Sequence, residues 1–149
     1  GGTSMKETGS TQKVCSFYVS NMHFATMILP FVNKQMEEKT SIITFFETDF
    51  TTNIELVLSK LLISEERKKE LLNINWKQSI NQTKYINLEK SLKNQINKKG
   101  KNLIIVNGNT NYINIINEEL DRFADKFNKK IEKNCIKIIN FYEVREFQR

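Results

Sequence analysis

The sequence predicts a three-layer α/β domain, with a mainly parallel sheet and helices on both of its faces. Short stretches rich in β-branched and aromatic residues alternate with longer stretches in which apolar residues recur at helical spacing. The short stretches are apolar at most positions, which is typical of strands buried on both faces of a parallel sheet. At 149 residues, the chain has the size of one ordinary domain.

The predicted domain covers residues 13–149. Gly1–Gln12 begins like an expression tag and continues as a polar leader without periodicity, so we leave it out of the fold. No cap signal follows the last predicted strand, and we expect the domain to be truncated on its C-terminal side. No apolar run approaches the ~20 residues of a membrane span, and no apolar leader is present. We therefore expect a cytoplasmic protein that contacts no membrane.

The first predicted unit is a strand, a helix and a second strand. Lys13–Val19 is apolar and aromatic enough for a strand, and Ser20 after it is a typical helix N-cap. Apolar residues keep helical spacing over Asn21–Lys39, in which Pro30 removes one backbone donor and predicts a kink. Ser41–Phe46 is the next buried strand.

Two helices are predicted after the second strand. The capping box Thr52–Glu55 predicts the start of a helix that ends near Leu62. Ser64 caps the following helix, Glu65–Asn73, whose first turn carries two glutamates where the helix dipole favours them. Trp76 lies in a short segment that fits either a strand or an extended connection.

The second half of the chain repeats the alternation. A lysine-rich helix, which Gly100 ends, is marked by one apolar face made of Tyr85, Leu88, Leu92 and Ile96. Asn102–Val106 is the clearest strand in the chain. The next helix carries apolar residues at three- and four-residue steps: Ile113, Ile116, Leu120, Phe123, Ala124, Phe127 and Ile131. Cys135–Tyr142 is the last strand. Cys15 and Cys135 both fall in predicted strands without metal-ligand spacing, so we expect reduced core thiols.

Ligands of such folds bind outside the carboxyl ends of the strands. Three predicted strands run into helices through turns at residues 18–23, 47–52 and 107–111, and none of these turns contains a glycine-rich phosphate-binding motif or its lysine. Asn107 stands where a phosphate-hydrolysing fold carries a magnesium-binding aspartate. We therefore predict no nucleotide cofactor. The candidate ligand-binding residues at these strand ends are Tyr18, Ser20, Asn21, His23, Glu47, Asp49, Asn107, Asn109, Glu143 and Arg145.

A catalytic site is the less favoured interpretation of these polar residues. Glu47 and Asp49, with Glu143, would supply metal ligands or acid and base groups for a divergent metal-dependent hydrolase. Acids are also common as loop and helix-start residues. His23 is the only histidine, so it has no second imidazole to share a metal. We predict no catalytic residues and no metal.

The net charge of +6 is concentrated in one segment, Lys77–Lys101, which holds seven lysines and one acid. A solvated helix face explains this segment most simply, and a basic patch for nucleic acid or an acidic partner is the alternative. The segment contains no arginine for base recognition and a single tyrosine for stacking. The patch would consist of Lys84, Lys90, Lys93, Lys98, Lys99 and Lys101.

Four stretches resemble the methanogen/methylotroph DcmR-type sensory (MEDS) domains: Val14–Tyr18, Leu29–Val32, Ser41–Phe46 and Asn140–Phe147, which together span most of residues 13–147. The resemblance implies a RecA- or KaiC-like core that has lost its nucleotide machinery and is joined to DNA-binding, kinase or sigma-regulatory partners. It also implies that Cys15 and Tyr18 are sensory residues. Members commonly carry a histidine two positions before this cysteine, where this chain has Lys13, so no His/Cys metal pair is carried over.

The leading prediction is a non-enzymatic regulatory or sensory domain that binds a small molecule or a partner protein in signal transduction or transcription control. The expected partners are a regulatory protein or a fused output domain, with a homodimer as a further form of assembly. A nucleic-acid-associated protein is the alternative.

Overall fold

The computed structural model describes residues 10–79, 88–130 and 135–144, and for Ser10 and residues 127–130 only the backbone. Nine helices and strands lie in this part of the chain. In order they are β1 (Ser10–Tyr18), α1 (Asn21–Glu37), β2 (Ser41–Phe46), α2 (Thr51–Lys60), α3 (Glu65–Leu72), α4 (Leu88–Gln95), β3 (Lys101–Asn107), α5 (Thr110–Lys130) and β4 (Cys135–Glu143).

The four described strands form one parallel sheet in the order β1-β4-β3-β2. The chain therefore crosses the whole sheet from β1 to β2 and then returns strand by strand. All carboxyl ends lie along one edge, because register pairs Tyr18 with Glu143 and Phe46 with Asn107. Helices α1, α2 and α3 cover one face, and α4 and α5 cover the other. The prediction of a three-layer α/β fold is confirmed.

The face under α1, α2 and α3 is centred on aromatic packing. Phe24 of α1 is fully buried, and its ring centroid lies 4.4 Å from that of Phe50, 5.0 Å from Phe141 and 5.3 Å from Tyr18. Aromatic rings at these separations add packing energy beyond their buried area. Trp76 packs in the same cluster and donates its indole N–H to Leu71 O at 2.8 Å. Aromatic packing thus fixes the start of α1 beneath the strand ends.

The face under α4 and α5 is mainly aliphatic. Leu88, Leu92 and Ile96 bury the apolar side of the lysine-rich segment, as the sequence predicts. One polar pair lies at this face: Asn140 and Asn117 exchange side-chain amide hydrogen bonds of 3.2 and 2.7 Å. Satisfying both amides removes most of the cost of burying Asn140. Tyr85 and Ile131 of the predicted apolar faces lie outside the described residues.

Several predicted starts of helices and strands are confirmed, and those of β1 and α2 are wrong. Ser20 and Ser64 cap α1 and α3 as predicted, and Trp76 lies in a connection without regular structure. β1 begins three residues earlier than Lys13, at Ser10, because it pairs with the full length of β4. The capping box at Thr52 is not used: α2 begins at Thr51, and its N-cap is the buried Phe50, which makes no side-chain cap bond. Core packing of Phe50 sets this helix start.

The prediction that both cysteines are core thiols is wrong, because Cys15 and Cys135 are exposed. Cys15 lies in β1, which pairs only with β4 among the described strands. Cys135 is the first residue of β4. A strand at the border of a sheet exposes side chains that the same sequence would bury in the centre. In the described residues, no helix has the length and hydropathy needed to cross a membrane.

Candidate functional site at the carboxyl edge of the sheet

The candidate site is the carboxyl edge, defined as the ends of the four strands with residues 18–23, 47–52, 107–111 and 143. Across the sheet the order is the end of β1, then β4, β3 and β2. β1 leads into α1 on one face, and β3 leads into α5 on the other face. Ligand crevices of open α/β sheets lie where successive helices part to opposite faces.

The turn after β1 is closed by its own side chains. Ser20 Oγ accepts from His23 N at 3.1 Å, and His23 Nδ1 accepts from Val19 N at 2.9 Å. The imidazole therefore carries an acceptor on Nδ1 and acts as a turn-forming group. Asn21 is the first residue of α1. Two of the backbone N–H groups that a phosphate would need at this turn are already engaged.

The turn after β3 is closed by Glu47 at the end of β2. Glu47 Oε1 accepts from Asn109 N at 2.7 Å, and Oε2 accepts from Asn109 Nδ2 at 3.4 Å. Asn109 in turn caps α5, because its Oδ1 accepts from Tyr112 N at 2.7 Å. The Glu47 carboxylate thus lies at the N-terminus of α5, where the helix dipole favours a negative charge. It occupies the position that a bound anion would take.

The absence of a side chain at Gly108 permits this closure. A Cβ atom placed at Gly108 would lie 2.9 Å from Glu47 Oε1 and would also collide with the Tyr112 ring. The sequence predicts Glu47, Asn107 and Asn109 as site residues, but the close approach at Gly108 has no sequence signal beyond the residue itself.

The turn after β2 is closed by Asp49. Its Oδ1 accepts from Thr51 N at 2.9 Å at the start of α2. The Thr51 hydroxyl and then its backbone N–H lower the pKa of Asp49 below the ordinary 3.8, with a smaller contribution from the charge of Lys77. Asp49 therefore stays ionised and binds the first N–H of α2 from the position before the N-cap Phe50.

Asn107 is the most buried polar residue of the edge, with no exposed surface. Its Nδ2 donates to Tyr18 Oη at 2.5 Å and to Phe141 O at 3.4 Å, so one amide links the ends of β3, β1 and β4. Its Oδ1 is buried without a hydrogen-bond partner among the described residues. An unsatisfied buried acceptor costs free energy that a donor from a ligand or a water molecule recovers.

Of the remaining predicted residues, Glu143 belongs to the carboxyl edge and Cys15 does not. Glu143 ends β4 beside Tyr18 in register. Cys15 lies three residues before the end of β1, next to Asn140 in register, and is not part of the carboxyl edge. Arg145 lies outside the described residues. Among the described side chains, no group of three His, Cys, Asp or Glu is placed to hold a metal ion.

Sequence reasoning missed the segment that binds the outer edge of β2. Ser79 N donates to Phe46 O at 2.8 Å, and Gln78 Nε2 donates to Glu47 O at 2.8 Å. Thr44 Oγ1 also donates to Asn75 O at 2.5 Å. Ser79, Gln78 and Asn75 lie around Trp76, and a large apolar residue in an otherwise polar segment is the sequence signal that could have pointed to this contact.

The lysine segment is partly neutralised in the described structure. Glu89 lies 3.9 Å from Lys93 and 3.3 Å from Lys126, and Lys101 lies 3.3 Å from Glu38. Lys90, Lys98 and Lys99 are exposed without an acidic partner in the described part of the chain, and Lys84 lies outside it. Exposed pairs of this kind contribute little to stability.

The strand-end turns are thus held by the chain's own side chains, and the Asn107 Oδ1 acceptor has no partner within the described ranges. Comparison of the chain with family models, curated proteins and solved structures finds no match.

Proposed function

We propose that this chain is a non-enzymatic, cytoplasmic regulatory or sensory domain that binds a small ligand or a partner protein in signal transduction or transcription control. One observation carries the proposal: side chains of the chain itself engage the backbone donors of all three strand–helix turns. Nucleotide-binding folds leave these donors free for phosphate. The MEDS resemblance agrees with a fold that has kept the scaffold and lost this chemistry.

The charge of the carboxyl edge favours a neutral or cationic ligand. The Glu47 carboxylate lies at the N-terminus of α5, Asp49 binds the first N–H of α2, and Glu143 ends β4. A phosphate or carboxylate brought to this edge would meet three carboxylates, and four backbone N–H groups of the turns are already bonded to side chains. A ligand with an N–H or O–H group instead satisfies the buried Asn107 Oδ1.

The first test asks whether the purified protein retains a ligand. Native mass spectrometry is applied to the parent chain, to Asn107→Leu and to the control Asn94→Leu, an exposed asparagine of α4. The expected result is a bound small molecule in the parent and the control that is lost or reduced in Asn107→Leu. Equal retention by all three proteins would place the ligand elsewhere.

The second test asks whether the protein turns over substrate. The parent is incubated with ATP, GTP, a carboxylic ester and a phosphoester, with and without Mg²⁺. The proposal expects no turnover. Turnover that disappears in both Glu47→Ala and Asp49→Ala would overturn it and would support the metal-dependent hydrolase. Elemental analysis of the purified protein supports that alternative if a metal is present at one equivalent.

A nucleic-acid-associated function is the alternative that the exposed Lys90, Lys98 and Lys99 favour. Binding carried by lysine–phosphate contacts weakens steeply between ~50 and ~200 mM salt, because counterions are released. Fluorescence anisotropy with labelled single-stranded DNA measures this slope. The double variant Lys98→Ala with Lys99→Ala should flatten it, and Lys60→Ala on α2 should not. Absent or salt-insensitive binding excludes this function.

A further inference from the structure

A shallow apolar groove of about 250 Å³ lies on the α1 face of the sheet, between β1, β4 and α1. Its lining includes Val14 and Ser16 of β1, Met27 and Phe31 of α1, and Ile139 and Phe141 of β4. Ile139 and Phe141 are buried and form the floor. Met27 and Phe31 are half-buried and Val14 is 37% exposed, so these three side chains form the rim. The described lining contains no aspartate or glutamate.

One end of this groove carries an ammonium group. Lys137 precedes Ile139 by two residues on β4, so the two side chains share the α1 face and lie about 7 Å apart along the strand. The Lys137 Nζ atom lies 5.9 Å from the centroid of the Phe31 ring, which belongs to the groove wall. This end of the groove points towards the edge where the strands begin, away from the carboxyl edge.

A second ammonium group lies at the same end on α1. Lys34 follows Phe31 by three residues, which places it on the groove side of the helix, and it is exposed. Neither Lys34 nor Lys137 has an acidic partner within the described ranges. The next acid on this side of α1, Glu38, is already paired with Lys101 at 3.3 Å. The groove therefore joins an apolar floor to two cations that no described acid neutralises.

The size and charge of the groove define the class of ligand. A dry apolar cavity of about 150 Å³ holds benzene, so about 250 Å³ gives room for a phenyl ring with a short chain. Drug-sized ligands occupy ~300–1,000 Å³ and are too large. The cations require an anionic group on the ligand. α1 ends at Glu37 on this side, and the negative end of its dipole favours a singly charged carboxylate over a doubly charged phosphate.

We propose that this groove binds a small carboxylic acid with an aromatic or branched apolar body. The body packs on Ile139 and Phe141 between Val14 and Phe31, and the carboxylate pairs with Lys137. The orientation is fixed by charge, because β4 runs from Lys137 to Glu143, whose carboxylate would repel the ligand's own. The inference does not depend on the proposed function, since the groove uses neither Asn107 nor the N–H groups of the strand-end turns.

Methyl NMR of the full chain, labelled at its methionine methyl groups, tests the proposal with 3-phenylpropanoate as the probe. The Met27 methyl should shift on titration, because it would lie against the aromatic ring. Met22, in the first turn of α1 at the carboxyl edge, is the internal control and should not shift. A ligand of this size binds weakly, with a dissociation constant in the millimolar range, which the titration measures directly.

Two variants and a neutral analogue assign the charge. Lys137→Gln should raise the dissociation constant of 3-phenylpropanoate ~5-fold, and Lys60→Gln, an exposed lysine of α2, should leave it unchanged. The uncharged 3-phenylpropanamide should bind the parent ~5-fold more weakly than the acid and should bind Lys137→Gln as it binds the parent. Circular dichroism checks that each variant is folded.

Three results would overturn the proposal. A Met27 methyl that does not respond, or that shifts no more than Met22, would show that the acid does not enter the groove. Equal weakening by Lys60→Gln and Lys137→Gln would show that the net positive charge of the chain attracts the acid. Equal dissociation constants for the acid and the amide would show that the groove takes neutral apolar molecules and that the lysines play no part.

Discussion

Replacement of Glu47 separates a structural role of this carboxylate from a catalytic one. The carboxylate makes a charge-assisted hydrogen bond to Asn109 N at 2.7 Å and a longer one to Asn109 Nδ2 at 3.4 Å. A hydrogen bond to a charged group contributes ~1.5–3 kcal/mol, and an acid at a helix N-terminus contributes ~0.3–1 kcal/mol. Because Glu47 is half-buried, the lower part of these ranges applies. Glu47→Ala should therefore lower the free energy of unfolding by about 2 kcal/mol.

Two further variants make this prediction specific. Glu47→Gln keeps one oxygen that accepts from Asn109 N and loses the charge, so its cost should be only ~0.5–1 kcal/mol. Glu55→Ala removes an exposed acid from α2 and should change stability by no more than ~0.5 kcal/mol. The three variants therefore form a series in which the loss follows the hydrogen bond and the charge.

Urea denaturation followed by circular dichroism measures these differences. A loss of about 2 kcal/mol corresponds to roughly 4–8 °C in the melting temperature of a chain of this size. The reasoning is refuted if Glu47→Ala is as stable as the parent. It is also refuted if Glu47→Gln costs as much as Glu47→Ala, because the acceptor oxygen would then play no part.

Three other substitutions test the packing and the caps around the site. Phe24→Ala, which empties the centre of the aromatic cluster, should lower the free energy of unfolding by ~3–5 kcal/mol in urea, and a loss below about 1 kcal/mol would contradict the packing described. Gly108→Ala places a Cβ atom against the Glu47 carboxylate and the Tyr112 ring, so it should lower the free energy of unfolding by ~1–3 kcal/mol. An unchanged free energy of unfolding would show that the turn relaxes freely. Asp49→Ala should destabilise the protein at neutral pH, where the carboxylate is ionised. Because the folded-state pKa of Asp49 is lowered, this stabilisation is present above the unfolded value of 3.8 and is lost as the pH falls through the folded value, so the urea midpoints of parent and variant should converge in acid.

The sequence predicts the strands and most helix limits of this fold because local signals determine them. β2 is found at its predicted limits, and Ser20 and Ser64 cap their helices through their own hydroxyl groups. The limits of β2 and the two serine caps depend on residues close in sequence, so strand propensity and helix-capping rules predict them. The start of α2 depends instead on Phe50, whose ring packs against Phe24 at 4.4 Å, and no local rule contains that contact.

The errors at the cysteines have a different origin. β1 has the composition of a central strand, and its position in the sheet is decided by the strand order β1-β4-β3-β2. Strand order depends on long-range contacts that leave no pattern within a single strand. The same reason hides the proximity of Asn107 to Tyr18, which are 89 positions apart in the chain. The residue types of the candidate site are therefore predictable, and their grouping is not.

The three closed turns connect the stability of this domain to its chemistry. In a nucleotide-binding fold, the donors at strand ends are satisfied only when phosphate is bound, so the ligand completes the turns. Here Ser20, His23, Asp49 and Glu47 bind four of these N–H groups, and an anion that used the same donors would have to displace a side chain that stabilises the turn. The Asn107 oxygen is the opposite case, because it is a buried acceptor without a partner among the described residues and takes part in no cap. The proposed ligand would therefore bring hydrogen-bond donors rather than phosphates to this edge, because a donor meets an unpaired acceptor where a phosphate meets occupied N–H groups.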